Sequence, residues 1–229
     1  METLWNHITM EQGAFPLGTD SVLLADFFTL LPKMKIADLG SGCGTLGLLA
    51  CARSSECRVT GVELDKEAHA LALHNIEANG LEGRLCSLLG DVREIRTLLP
   101  AGSFDCVLSN PPYFPVGSGK IAGPARSEVF LNLRQVCEAA AWLLPAGGRF
   151  ALVHRPERLC DIFCALRENA MEPKRIQFVR HRADAPVCLV LIEARRGGRP
   201  GLSYEPDFIE FNDDGTETAM YRAAYHRGE

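Results

Sequence analysis

Short apolar runs alternate with segments of helical period through most of the chain. Residues 35–40, 58–63, 84–89, 104–109 and 148–154 each have the length and apolar density of a buried parallel strand. Between them, Leu46, Leu48, Leu49 and Ala50 mark one helix. Ala68, Leu71, Ala72, Ile76 and Asn79 mark a second by their i, i+3, i+4 spacing, with Asp65 as cap and Gly80 as stop. Phe130, Leu133, Val136, Cys137, Ala140 and Leu144 mark a third that ends at Pro145. Leu159, Ile162, Phe163 and Leu166 mark a fourth. Ahead of the first strand, Gly18-Thr19-Asp20-Ser21 precedes the apolar stretch from Val22 to Phe28, so Thr19 or Asp20 is expected to cap a helix. Residues 174–180 and 187–194 read as two final strands, an antiparallel pair at one side of the sheet. The pattern predicts an α/β fold with a mostly parallel seven-stranded sheet, helices on both faces and an antiparallel edge strand. Residues 114–126, with their glycines and prolines, read as a loop, and residues 197–229 show little periodicity.

Composition narrows this little. A length of 229 residues, 47% hydrophobic and 23% charged, suits one domain with a sizeable core. The expected division is an amino-terminal segment 1–32, a core 33–196 and a tail 197–229. No run is long enough to cross a membrane, and the first residues lack a charged region followed by an apolar one. A cytoplasmic protein is therefore expected. The nine cysteines include no C-x-x-C pair. They read as buried free thiols, Cys160 and Cys164 among them, and no metal is expected. A net charge of −5 does not by itself suggest a nucleic-acid partner. Basic residues are nevertheless concentrated in 155–199, where Lys174, Arg175, Arg180 and Arg182 are candidates for phosphate contact or for ordinary solvated surface.

Chemistry enters at the strand ends. The turn Gly40-Ser41-Gly42-Cys43-Gly44 between a strand and a helix lets backbone approach a ligand beside a helix N-terminus. Gly42-Cys-Gly44-Thr-Leu-Gly47 also fits the dinucleotide pattern, with Glu63 placed for a ribose, so a dehydrogenase remains an alternative. The fourth strand runs into Asn110-Pro111-Pro112-Tyr113. Two prolines cannot extend a strand ladder, so the chain turns a stiff corner at a strand's carboxyl end, where α/β sheets bind ligands. Asn110 offers an amide oxygen and an NH2, Pro111 offers a carbonyl without an N–H, and Tyr113 offers a face for stacking. This set suits a planar –NH2 group. Two acceptors on its hydrogens turn the nitrogen lone pair out of conjugation and make it nucleophilic without deprotonation.

That corner resembles motif IV of class I methyltransferases acting on adenine N6 or glutamine amides. Asp38-Leu-Gly40-Ser-Gly42-Cys-Gly44 is similar to their motif I. Over nearly the whole chain the sequence resembles the bacterial tRNA-valine adenine-N6-methyltransferase family, through Gly18–Ala25, Asp38–Gly44, Val62-Glu63-Leu64, Gly90-Asp91, Ser109–Pro115, Ala125-Arg126-Ser127-Glu128, Asp214-Gly215-Thr216 and Met220-Tyr221. The resemblance implies a Rossmann-like class I methyltransferase using S-adenosylmethionine. The cofactor would be held by Asp20, Asp38, Gly40, Ser41, Gly42, Gly44, Glu63 on the ribose, Leu64, Asp91 with Val92 on the adenine, and Asn110. The implied substrate is the adenine 3′ of a tRNA-Val anticodon, stacked on Tyr113 and Phe114, with Lys120 and Arg126 on the RNA. The catalytic set would be Asn110, Pro111, Pro112 and Tyr113. Alternatives are a glutamine-amide or small-molecule amine methyltransferase, or a non-catalytic cofactor- or RNA-binding module. Oligomeric state is open, and a monomer suits the pattern.

Overall fold

The structure is a computed structural model that describes residues 2–3, 5–13, 17–111 and 131–225. Two short strands, β1 (Glu2–Thr3) and β2 (Thr9–Met10), pair antiparallel at the amino end. There follow α1 (Thr19–Phe27), β3 (Lys35–Leu39), α2 (Thr45–Arg53), β4 (Arg58–Glu63), α3 (Lys66–Ala78), β5 (Leu85–Leu89) and α4 (Ile95–Leu98). The second half supplies β6 (Cys106–Ser109), α5 (Leu133–Leu143), β7 (Arg149–His154), α6 (Leu159–Glu168), β8 (Met171–Arg180) and β9 (Val187–Arg196). Last come β10 (Ser203–Tyr204), β11 (Phe208–Ile209) and α7 (Ala219–Tyr225).

The main sheet has the order β10-β8-β9-β7-β6-β3-β4-β5, with β11 also on β8. Strands β3 to β7 are parallel to one another, while β9 runs antiparallel to both β7 and β8. The strand order doubles back between β3 and β6, which brings the carboxyl ends of β3, β4 and β6 together at one rim, where α/β folds place their ligands. The expected α/β architecture holds. The sheet grows from seven strands to nine because residues 203–204 and 208–209 of the tail pair in parallel with β8. Strands of two residues carry no readable period, so sequence pattern does not reveal them.

Side chains alternate across the sheet as strand geometry requires. In β7, Phe150 and Leu152 join one core, and Ala151 and Val153 the other. One core lies under α1, α2 and α3, with Leu23, Leu24, Phe28, Leu48, Leu49 and Ile76. The opposite core lies under α5 and α6, with Val136, Leu143, Ile162 and Leu166. Asp65 caps α3 by accepting from the Glu67 and Ala68 amides, as its position predicts. At α1 the expectation fails: the cap position is Gly18, no side chain caps it, and Thr19 and Asp20 lie inside the first turn. All nine cysteines are unbridged. Cys160 and Cys164 are exposed, contrary to expectation, because α6 turns Ile162, Ala165 and Leu166 inward and these two thiols outward.

One buried charge joins the amino-terminal helix to the sheet. Glu193 of β9 is fully buried. It accepts from the Thr29 amide at 2.8 Å and the Arg149 guanidinium at 2.7 Å. Arg175 lies 3.7 Å away. A buried carboxylate persists only with such partners, so the chain just after α1 is fixed to β7, β8 and β9.

Candidate functional site

The glycine turn follows β3 directly. Gly40, Gly42 and Gly44 have φ of 73°, 56° and 90°, a region costly for residues with a Cβ. The Gly40 and Ser41 amides both donate to the Val62 carbonyl, at 3.0 and 3.2 Å, which pins the turn to the end of β4. A Cβ added at Gly40 or Gly42 would project into open space, whereas one at Gly61 would lie 2.6 Å from Ser41 Oγ. The turn thus presents bare backbone outward and rests its underside on a bare position of β4.

Two carboxylates flank this turn. Glu63, at the end of β4, accepts from the Gly42 amide at 2.7 Å and the Asp65 amide at 2.8 Å, one bond on each oxygen. Each oxygen keeps a second lone pair for a hydroxyl. Asp38 is 1% exposed, and its Oδ1 has no hydrogen-bond partner. Burial, and then the nearby Glu63 charge, raise its pKa from 3.8 to about 8. Ser41 Oγ is likewise buried without a partner. Polar groups left in this condition are costly, and a bound polar ligand would satisfy them.

Asp91 follows β5, next to β4 through the bond from the Gly90 amide to the Glu63 carbonyl at 2.8 Å. Its carboxylate is engaged by Arg93: Nε reaches Oδ1 at 3.0 Å and Oδ2 at 2.8 Å, and the Arg93 amide also donates. These bonds hold the Asp91 pKa below the usual carboxylate value. Val92 is buried, while Leu64 is 44% exposed, an apolar surface beside Glu63.

At the end of β6, Ser109 Oγ donates to the Leu39 carbonyl at 2.9 Å, tying the corner to β3. Asn110 Nδ2 donates to Ser21 Oγ at 3.0 Å. Asp20, the next residue back in α1, accepts from the Ser21 amide at 2.8 Å. The first turn of α1 is therefore in contact with the corner, and Pro111 beside it is buried. Pro112, Tyr113, Phe114, Lys120 and Arg126 lie outside the described residues.

The structure thus joins Gly42 with Glu63, and Asn110 with the α1 turn that carries Asp20. It does not join Asp91 to the turn; its bonds go to Arg93. Three contributors escape sequence reasoning. Ser21 sits in the quoted Gly18–Ala25 element, but only the packing of α1 on β6 reveals its partner. Arg93 lies two residues from Asp91, a spacing that by itself says nothing of contact. Asn75 of α3 is 1% exposed and bonds the Glu11 carbonyl at 2.9 Å and the Cys43 carbonyl at 3.0 Å, clamping the amino-terminal segment to the glycine turn. A buried asparagine on an otherwise apolar helix face was its only signal.

Among the basic candidates, Arg175 and Arg180 are paired with Glu205 at 3.0 Å and Asp207 at 2.7 Å, and Lys174 donates to the Arg199 carbonyl. Much of their charge is spent within the molecule. No helix among the described residues is long and apolar enough to cross a membrane.

Known proteins agree with this geometry. Residues 12–161 match the methyltransferase small domain family. A tRNA1(Val) (adenine(37)-N6)-methyltransferase of Dickeya chrysanthemi is 31% identical over 201 residues, covering 86% of this chain and 79% of that protein. The enzyme of the same name from Aeromonas salmonicida is 29% identical, covering 83% and 81%. Among solved structures, a predicted O-methyltransferase of Agrobacterium tumefaciens superposes with a TM-score of 0.76 at 23% identity, covering 90% of this chain and 95% of that one. The geranyl diphosphate methyltransferase bound to S-adenosylmethionine gives 0.58 at 16% identity, covering 77% and 84%. The two structural likenesses bear on the fold, and the sequence matches on kinship: the chain belongs to the methyltransferase small domain family and is an S-adenosylmethionine-dependent methyltransferase.

Proposed function

We propose that this chain methylates N6 of an adenine in tRNA, the adenine at position 37 of tRNA1(Val), the base in the names of its relatives. The observation that carries the reading is the Asn110 amide held against Ser21 at the end of β6, next to the glycine turn on β3.

The residues present suit the cofactor. Open space over Gly40 and Gly42 accommodates a ligand packed on backbone, and the buried unpaired oxygen of Asp38 suits a ligand with a cationic and hydrogen-bonding end. Glu63 has lone pairs left for ribose hydroxyls, Leu64 offers apolar surface for a base, and Asp91 with Val92 supplies polar recognition at the next strand end. Bound there, S-adenosylmethionine supplies an electrophilic methyl group on a sulfonium.

The protein's share is positioning and polarisation. Asn110 is held by Ser21 at the mouth of the corner; its amide oxygen is assigned to one hydrogen of the target amine, and the Pro111 carbonyl to the other. The amine lone pair then leaves conjugation and points along one line, the kind of orientation that accounts for large rate effects. No side chain becomes covalently attached, and the surplus proton leaves to solvent. Tyr113 and Phe114 are assigned to stack on an extruded base; stacking of about 1–3 kcal/mol offsets extrusion costs of a few kcal/mol. Action on tRNA implies a cytoplasmic setting.

The test uses tRNA from cells lacking this protein and radiolabelled cofactor. The native chain is expected to label one adenine as N6-methyladenosine. Asn110→Ala is expected to bind S-adenosylhomocysteine normally and to lose transfer. Retained turnover by Asn110→Ala would remove the proposed role of this corner. Label found in nuclease-resistant material would move the target from RNA to a protein amide.

A further inference from the structure

Away from the methyl-transfer site, three donor groups converge where the tail meets the β8–β9 hairpin. His181 follows the last residue of β8, Cys188 is the second residue of β9, and Glu210 follows β11. One donor atom from each lies within 4.8 Å of the others. His181 and Cys188 flank one hairpin, while Glu210 comes from the tail beyond β11, so no motif spacing announces the three together.

Their environments differ in a useful way. Glu210 is 4% exposed, and His181 Nδ1 is bonded to its carboxylate. The Cys188 thiol is half-buried and donates to the Val179 carbonyl at 3.3 Å. The His181 side chain is 67% exposed, so the cluster opens to solvent on that side. The Glu210 and Arg180 backbones are bonded at 3.0 Å, and the Phe211 amide bonds the His181 carbonyl at 2.9 Å. The backbone frame is therefore fixed on both sides of the donors. Arg155 opposes a cation here, but its guanidinium is held on the Cys188 carbonyl at 3.1 Å.

We propose that His181, Cys188 and Glu210 form a zinc site with three protein ligands and a solvent-facing fourth position. Mixed nitrogen, sulfur and carboxylate donors suit Zn2+ better than Mg2+ or Ca2+, which take oxygen ligands. Donors on a tetrahedral zinc stand about 3.5 Å apart, given bonds of roughly 2.0–2.3 Å. Closing from 4.8 Å is within the reach of side-chain rotation. Binding replaces the Cys188 S–H bond with a sulfur–zinc bond and releases that proton to solvent. The ion would cross-link β11 and the chain leading to α7 onto β8 and β9.

The experiment uses the full chain with the exposed thiols removed by Cys86→Ser, Cys160→Ser and Cys164→Ser, so that only Cys188 offers a thiol that is not buried. Zinc is titrated in competition with a chromophoric chelator, and cobalt(II) serves as the spectroscopic probe. One equivalent is expected to bind, with a thiolate-to-cobalt absorption band that Cys188→Ser abolishes. His181→Ala, at an exposed position, and the conservative Glu210→Gln are each expected to weaken zinc binding at least tenfold. The thermal midpoint is expected to rise with zinc only when all three ligands are present. Absence of binding, a cobalt complex without the thiolate band, or affinity unchanged by His181→Ala would each overturn the proposal.

Discussion

Asn110 Nδ2 lies 3.0 Å from Ser21 Oγ, so a residue at the end of β6 takes its orientation from the first turn of α1, 89 positions earlier. An asparagine amide can present either its oxygen or its nitrogen to a ligand, and the serine favours the oxygen. Ser21→Ala is expected to lower the single-turnover methylation rate about tenfold to a hundredfold, the range in which misorientation of a reacting group acts. Affinity for S-adenosylhomocysteine should change less than about twofold, and Ser21→Thr should restore most of the rate. Rapid-quench methylation set beside calorimetry separates the two effects.

The Asp91–Arg93 pair yields a second expectation. Arg93 is the first cause of the lowered Asp91 pKa, so Arg93→Ala should move that pKa up toward the ordinary carboxylate value. NMR titration of the side-chain carboxyl reads this directly. Asp91→Ala removes the proposed adenine acceptor as well as the partner of Arg93, and cofactor affinity should fall by about tenfold, in keeping with hydrogen bonds to a charged group.

Asp38 makes stability depend on pH. Its folded pKa, about 8, lies above the ordinary aspartate value of 3.8. Between those values the folded chain retains a proton that the unfolded chain releases, so its contribution is full below about pH 4 and is lost as pH rises toward 8. Urea unfolding at about pH 5 and about pH 8 should show the decline, and Asp38→Asn should flatten it.

Glycine substitutions should separate structure from binding. A Cβ at Gly61 would lie 2.6 Å from Ser41 Oγ and 2.8 Å from Ser41 Cβ. Gly61→Ala is expected to cost about 1–3 kcal/mol by overpacking, visible as a lower melting temperature of the free protein. Gly42→Ala meets no protein atom within 4 Å but occupies the ligand's side of the turn at a φ of 56°. It should cost about 1 kcal/mol of stability and weaken cofactor binding more than Gly61→Ala does. Differential scanning fluorimetry with and without S-adenosylhomocysteine distinguishes the two.

Sequence pattern reached far into this fold because parallel strands such as β3, β6 and β7, buried on both faces, leave continuous apolar runs, and Asp65 and Gly80 punctuate α3 as local chemistry dictates. The glycine turn was legible because its glycines lie next to one another, whereas the bond from Gly42 to Glu63 spans 21 residues and needs β4 beside β3. Sequence pattern misread the cap of α1, where Gly18 serves without any side-chain bond. It missed Ser21 and Asn75 because each acquires meaning only from an element tens of residues away, and the His181–Cys188 pair because Glu210 joins it only through the pairing of β11 on β8.

The tail strands change what an end of this chain can be used for. β8 is ten residues long, and its flank away from β9 is occupied by Ser203–Tyr204 and Phe208–Ile209. Unpaired N–H and C=O groups along such a strand act as a template for another chain. Cutting the protein before residue 203 would therefore uncover a self-adhesive ribbon, and a shortened version would fail first by clumping.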